Sequence, residues 1–260
     1  MKRRALFEFN DLPGAPAFVR DTVVETLSRT LEWGRVLDGL VEPFAAFVHD
    51  AGVKEVLDIG SGAGGPARIL ARAIARTSTP PVFVLTDLHP HVTAWERARA
   101  ELPGAIDFVK DPVDATRIPD AIGRGRARTI INVLHHLSPV LARGVFEDAV
   151  RGGRGVFVAE AFERNPVSFL NFAFAGLPAL LANPLLSPED RAWKAAFTYL
   201  TPAALGISVW DGVVSALRMY TEEELREMVA PFGASWRWTY GTFRYFPRGR
   251  GYFFHGVPRR

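Results

Sequence analysis

Between Phe18 and Ala51 the apolar positions Val23, Val24, Leu27, Leu31, Val36, Leu37, Leu40, Val41, Phe44, Phe47 and Val48 recur at helical spacing. They predict two or three helices ending near Gly52. The rhythm then changes. Val53–Ile59 is a short apolar run that ends in glycines, and Pro66–Arg76 returns to helix. Strands are predicted over Val82–Thr86, Ile106–Val109, Thr129–Leu134 and Gly155–Ala159, with helices over Val92–Leu102 and Leu141–Val150 between them. Alternation at this spacing implies parallel strands joined by right-handed crossovers, with helices on both faces of the sheet. Thr221–Val229 predicts a last helix, opened by a Thr221/Glu224 capping box. Ser235–Phe246 and Gly251–Val257 then predict an antiparallel hairpin turned by Pro247-Arg248-Gly249-Arg250.

The stretch between Arg164 and Glu189 carries no charged residue and is long enough to cross a bilayer. Pro166, Pro178, Pro184 and Pro188, with Asn165, Asn171 and Asn183, argue against a span. The expectation is a buried lid or substrate-pocket insertion. A helix lying on a membrane surface is the alternative, although the segment lacks the basic face such helices usually carry. Downstream, Asp211, Ser215, Arg218 and Tyr220 are polar positions in an apolar setting, so they pair with each other (Asp211 with Arg218) or meet a ligand.

Composition narrows the class. The chain has 260 residues, 48% of them hydrophobic and 23% charged, which suits a globular fold with a sizeable core. Cysteine is absent, which excludes disulfides, thiolate zinc sites and a cysteine nucleophile and fits a reducing, cytoplasmic compartment. The net charge of +3 includes dispersed arginines near both ends: Arg3, Arg4, Arg244, Arg248, Arg250, Arg259 and Arg260. Dispersal argues against a nucleic-acid face. Phe7, Glu8, Asn10 and Asp11 interrupt the basic start, so no signal peptide is expected. His89 and His91 flank Pro90 with no third ligand near, and no metal site is expected.

The chemical signal is Asp58-Ile59-Gly60-Ser61-Gly62-Ala63-Gly64-Gly65, between a predicted strand and a predicted helix. Glycines there let the chain turn sharply and let a ligand approach the backbone. Asp87, followed by Leu88, ends the second strand, where a carboxylate can accept from both ribose hydroxyls of a nucleoside. Asp114-Ala115, after the third strand, suits an adenine amino group. Gly60, Gly62 and Gly65 also satisfy the dinucleotide fingerprint. However, Asp58 would face a diphosphate with like charge, whereas a cationic ligand is complementary.

These motifs resemble those of class I S-adenosylmethionine-dependent methyltransferases of the small-molecule type. Asp58-x-Gly60-x-Gly62-x-Gly64 matches the first motif and Asp87 the acidic end of the second. Asp114-Ala115 matches the adenine-side loop, and Asn132-Val133-Leu134-His135-His136-Leu137 the end of the fourth strand. The likeness covers about residues 53–161 and the last forty. It implies a single α/β domain, Rossmann-like and doubly wound, with a mostly parallel sheet and a C-terminal antiparallel hairpin. A helical N-terminal cap would span 1–52, a cofactor-binding core 53–164, an apolar insertion 165–220, and the last helix and hairpin 221–260. The implied activity is methyl transfer from S-adenosyl-L-methionine to a small lipophilic or aromatic metabolite, with oxygen the favoured atom.

Asp58, Gly60, Ser61, Gly62, Asp87, Leu88, Asp114, Ala115 and Asn132 would hold the cofactor. His135 matches the base of oxygen-methylating relatives, with His136 as the alternative. Trp193, Arg218 and Tyr220 are the candidate substrate contacts, among the aromatics Phe169, Phe172, Phe174, Phe197 and Trp210. Asn132, with no following proline pair, disfavours methylation of base nitrogens. The expected partner is a small molecule; nucleic acid and a transmembrane segment are not expected, and peripheral membrane contact is allowed. A non-catalytic binding protein of the same fold and a nicotinamide-dependent oxidoreductase are the other readings.

Overall fold

The computed structural model describes every residue except Met1, Ala5, Asn10, Asp11, Pro13, Pro247 and Arg260, together with the side chains of Ser168, Leu170, Asn171 and Ala175. The readings that named Asn10, Asp11, Asn171, Pro247 and Arg260 therefore fall outside what is described. The chain forms two compact units. One comprises residues 37–161, 221–243 and 251–260; the other comprises 1–36, 162–220 and 244–250.

The sheet comprises β1 (Glu55–Ile59), β2 (Val82–Thr86), β3 (Ile106–Phe108), β4 (Ala127–Ile131), β5 (Val156–Glu160), β6 (Trp236–Tyr245) and β7 (Gly249–Pro258), and all of it but residues 244–245 and 249–250 lies in the larger unit. The spatial order is β3-β2-β1-β4-β5-β7-β6. The first five strands pair in parallel, and β7 runs antiparallel to β5, with Val158 opposite Phe254. Near-continuous burial of β1, β2, β4 and β5 reflects cover on both faces. The expected Rossmann-like sheet with a terminal hairpin is borne out.

Alternation along the strands decides which helix covers which face. Phe157, Phe253 and His255 share a face and meet Phe44 and Phe47 of α2 (Val41–Ala51). Phe254 points the other way, to Phe146 of α6 (Pro139–Gly152) and to Trp238. The expected helical cap over 1–52 therefore divides. Phe44 and Phe47 are fully buried in the larger unit, while α1 (Ala17–Trp33) belongs to the smaller one.

A buried ion pair ties β4 to α6. The Arg128 guanidinium lies 3.3 Å from the Asp148 carboxylate and donates to the carbonyls of Gly123 and Arg126, each at 2.8 Å. Gly152 leaves room for it: a Cβ there would lie 2.6 Å from Nη2. Asp148 also accepts from the Ile118 amide and pairs with Arg151.

Several boundaries differ from expectation: Gly249 and Arg250, expected in the hairpin turn, begin β7. The fourth strand stops at Ile131, not Leu134, because Asn132 turns into the left-handed region (φ 58°) and Leu134–His136 forms a short 3-10 turn. The segment expected to be buried between Arg164 and Glu189 is α7 (Pro166–Leu186), helical through Pro178 and Pro184, and one of its faces is exposed.

The smaller unit packs α7 against α1 and against α9 (Ala203–Arg218), with α8 (Arg191–Ala195) beside them. Its centre is polar. Lys194, fully buried, donates to both oxygens of Glu25 at 2.9 and 3.1 Å. Ser187 donates to Glu25 at 2.6 Å, and Arg29 bonds Ser187 and Asn183.

Replacing Asp148 by Ala strands the Arg128 charge in the core. Denaturant unfolding of the full chain is expected to show a loss of roughly 3–5 kcal/mol.

Candidate active site

Every candidate cofactor residue falls in the larger unit, at the carboxyl ends of β1, β2, β3 and β4 or on the loops that leave them. That is where ligands bind in doubly wound sheets. Between β1 and α3 (Gly65–Ala75), Gly60 and Gly62 take φ of 67° and 51°, conformations costly for other residues. A Cβ on Gly60 would meet Val133 Cγ1 at 2.7 Å, whereas one on Gly62 would meet no atom within 4 Å. The turn is thus closed on the Val133 side and open at Gly62.

Side chains hold this turn at several points. Ser61 Oγ donates to the Asp58 carbonyl at 2.9 Å and accepts from the Thr86 amide at 3.1 Å, lacing β1 to β2. Trp95, on the buried side of α4 (Val92–Glu101), donates from Nε1 to the Gly62 carbonyl at 2.7 Å. The Gly62 amide donates to Asp87 Oδ2 at 2.8 Å, and the His89 amide to Asp87 Oδ1 at 2.9 Å. Asp87 is therefore oriented by backbone, with further lone pairs on each oxygen. Leu88, next in the chain, is exposed.

Asp58 is buried at the end of β1 and accepts from Thr129 Oγ1 at 2.9 Å. Burial pushes its carboxyl up from 3.8 to about 6, with the neighbouring Asp87 charge adding to the rise. Asp114 is exposed. It accepts from the amide and hydroxyl of Thr116 at 2.8 and 2.7 Å, bonds that hold its carboxyl below the usual range. Ala115 follows in the same turn.

Asn132 Oδ1 accepts from the Ala161 amide at 2.7 Å, while its Nδ2 is buried without a partner among the described residues. An orphaned donor of this kind suits a ligand. The open flank of Gly62, the unpaired Nδ2 and two neighbouring carboxylates are together compatible with a nucleoside carrying a cationic tail. A diphosphate would meet two like charges.

His135 is buried and His136 exposed; their ring centroids are 4.1 Å apart. Glu160, at the buried end of β5, lies 2.9 Å from His135 Nδ1 through Oε2 and accepts the His135 amide through Oε1 at 3.1 Å. Burial raises the Glu160 carboxyl from 4.5 to about 8. Glu160 went unnoticed in the sequence. The available signal was a carboxylate closing the apolar run Val156-Phe157-Val158-Ala159.

The three candidate substrate residues lie in the smaller unit. Trp193 is exposed and stacks on Phe18 at 6.1 Å. Arg218 pairs with Glu8 at 3.0 Å, and Arg3 lies 4.6 Å over the Tyr220 ring. Asp211, expected opposite Arg218, accepts from the Phe9 amide at 2.7 Å. The N-terminal segment thus engages these polar groups, a partner that spacing within 210–221 did not reveal.

No family model and no curated protein matches the sequence. Solved structures do. The methyltransferase domain of bacterial CtHen1-C is similar at 12% identity and a TM-score of 0.50, over 86% of this chain and 100% of that one. A protein from Nostoc punctiforme assigned as an O-methyltransferase is similar at 14% identity and a TM-score of 0.51, over 98% of this chain and 64% of that one. The fold is the one these methyltransferase structures share. At these identities the likeness is one of fold, and the chemistry must be argued from the side chains.

Asp58 supplies a check on the site electrostatics. A carboxyl raised by folding favours the native state while protonated, so its contribution is present below about pH 4 and lost as pH rises through about 6. Asp58→Asn is expected to stabilise the ligand-free protein above pH 6, by roughly 3 kcal/mol at most, and to flatten the pH dependence of thermal unfolding.

Proposed function

We propose that the protein is an S-adenosylmethionine-dependent methyltransferase that acts at oxygen on a small lipophilic or aromatic metabolite. The reading is carried by Asp58 and Asp87 flanking an open glycine turn, with Asp87 oriented by the Gly62 and His89 amides. When bound, S-adenosylmethionine supplies a methyl group activated by positive sulfur.

The residues divide the work. Asp87 binds the ribose hydroxyls with the lone pairs left by its two backbone bonds, and Leu88 covers the base. Asp114 and Ala115 take the adenine edge. Asp58, ionised above about pH 6, balances the positive charge of the amino acid tail. Asn132 Nδ2 is a donor for that tail's carboxylate or for the acceptor. Gly60 and Gly62 admit the ligand to the backbone, and Ser61 holds their turn in place.

His135 accepts the proton of the acceptor hydroxyl at Nε2, and Glu160 positions it by accepting Nδ1–H. This arrangement also stabilises the imidazolium that forms. His136, stacked on His135 and exposed, is the alternative base. Arg218 and Tyr220 act by holding the N-terminal segment through Glu8 and Arg3. The lipophilic character of the acceptor rests on the sequence resemblance to methyltransferases of the small-molecule type. The lack of cysteine suits a cytoplasmic setting.

Titration calorimetry is expected to show saturable binding of S-adenosylhomocysteine, weakened at least tenfold by Asp87→Ala, and none of NADH. Tight NADH binding without uptake of the sulfur nucleoside would refute the reading.

In methyl-transfer assays over a panel of phenolic acceptors, His135→Ala is expected to lower kcat by about 10²- to 10⁴-fold with donor affinity unchanged. The wild-type rate should climb as pH rises through about 8, where Glu160 ionises and strengthens the base. Glu160→Gln should abolish that limb.

A further inference from the structure

Among the described residues, the large side chains on the solvent side of α7 are apolar. Its buried side (Phe169, Phe172, Ala179, Leu180) packs within the smaller unit, yet Val167, Phe174, Leu177, Leu181 and Leu185 face outwards, Phe174 at 76% exposure. A helix that is hydrophobic all round belongs inside a core or in lipid; this one is covered on one side only. Among the described residues no single helix is long and apolar enough to cross a membrane, so the face offers lateral contact rather than a span.

A second feature of the same unit points to the same surroundings. The turn between β6 and β7 forms an open pocket of about 590 Å³ lined by Arg244, Tyr245, Phe246, Arg248, Gly249 and Arg250. Phe246, 80% exposed, stands between Arg244 and Arg248 in the sequence, and neither arginine has an acidic partner among the described residues. Arg250 is held by Glu163 at 3.4 Å. Tyr245 packs on Phe172 of α7 at 6.3 Å, joining the turn to the helix. None of these pocket residues belongs to the glycine-turn site.

We propose that this unit docks on the surface of an anionic phospholipid bilayer. The α7 face would lie among the upper acyl chains, and the arginine-lined turn would take headgroup phosphates around an inserted Phe246. Charge complementarity selects this occupant over a second copy of the chain. The unit carries thirteen Lys and Arg against nine Asp and Glu, so two copies would repel across the face while an anionic surface attracts it. The basic groups that α7 lacks along its own length are thus supplied by the hairpin. The inference stands apart from methyl transfer and is tested without it.

The full chain is sedimented with vesicles of phosphatidylcholine alone and with vesicles containing about one third phosphatidylglycerol, a mixture of strongly negative surface. Melting curves would confirm that each variant remains folded. The wild type is expected to pellet with the anionic vesicles and to be released by high salt. Phe174→Asp with Leu181→Asp, and separately Arg244→Glu with Arg248→Glu, should each cut the bound fraction at least tenfold. Wild type that stays in the supernatant with anionic vesicles would overturn the proposal, as would undiminished binding by the folded Phe174→Asp/Leu181→Asp variant. A wild-type dimer that this variant dissociates, with no vesicle binding, would assign the face to a second copy and overturn it equally.

Discussion

A carboxylate taken out of water at the end of a strand is the constraint around which the candidate site is arranged. Among the described residues Thr129 and Ser61 offset the desolvation of Asp58, and Asp87 stands close enough to oppose its ionisation. Burying such a group costs stability, and a fold retains it where a ligand of opposite charge repays the cost. The glycine turn, the backbone amides that hold Asp87, and the Trp95 bond to the Gly62 carbonyl all keep the two carboxylates and the backbone between them in register. The turn is rigid on the side that packs on Val133 and open at Gly62. That asymmetry leaves the backbone at Gly62 approachable from one side.

A second buried carboxylate, Glu160, answers to a different rule. It lies under a histidine rather than beside another acid, and the pair holds a proton at neutral pH because burial penalises the charged form. Two carboxylates in one unit are thus poised differently by their surroundings. Asp58 becomes ionised near pH 6, and Glu160 near pH 8. Such separation puts the two carboxyls in different charge states between about pH 6 and pH 8.

Most of the sheet could be read from the chain because parallel strands covered on both faces are compact apolar runs, and Val82–Thr86 has the predicted limits. The acidic strand ends were equally legible, since a carboxylate interrupts that apolarity where the strand ends. What periodicity could not supply was set by contacts distant in sequence. Asn132 ends β4 through a left-handed turn that no run of hydrophobic residues announces. Glu160 acquires its meaning only because His135, 25 residues earlier, folds over it. Glu8 and Phe9 reach Arg218 and Asp211 across more than 200 residues. The cap expected over residues 1–52 divides between units because Phe44 and Phe47 complete an aromatic cluster with Phe157, whereas α1 pairs with α7.

A crystal structure with S-adenosylhomocysteine tests the central claim most directly. The account predicts both ribose hydroxyls on the Asp87 carboxylate and the amino acid tail over Gly60 and Gly62, on the Asp58 side of the turn. A ligand bound with its ribose away from Asp87, or a diphosphate preferred at the glycine turn in competition, would contradict it.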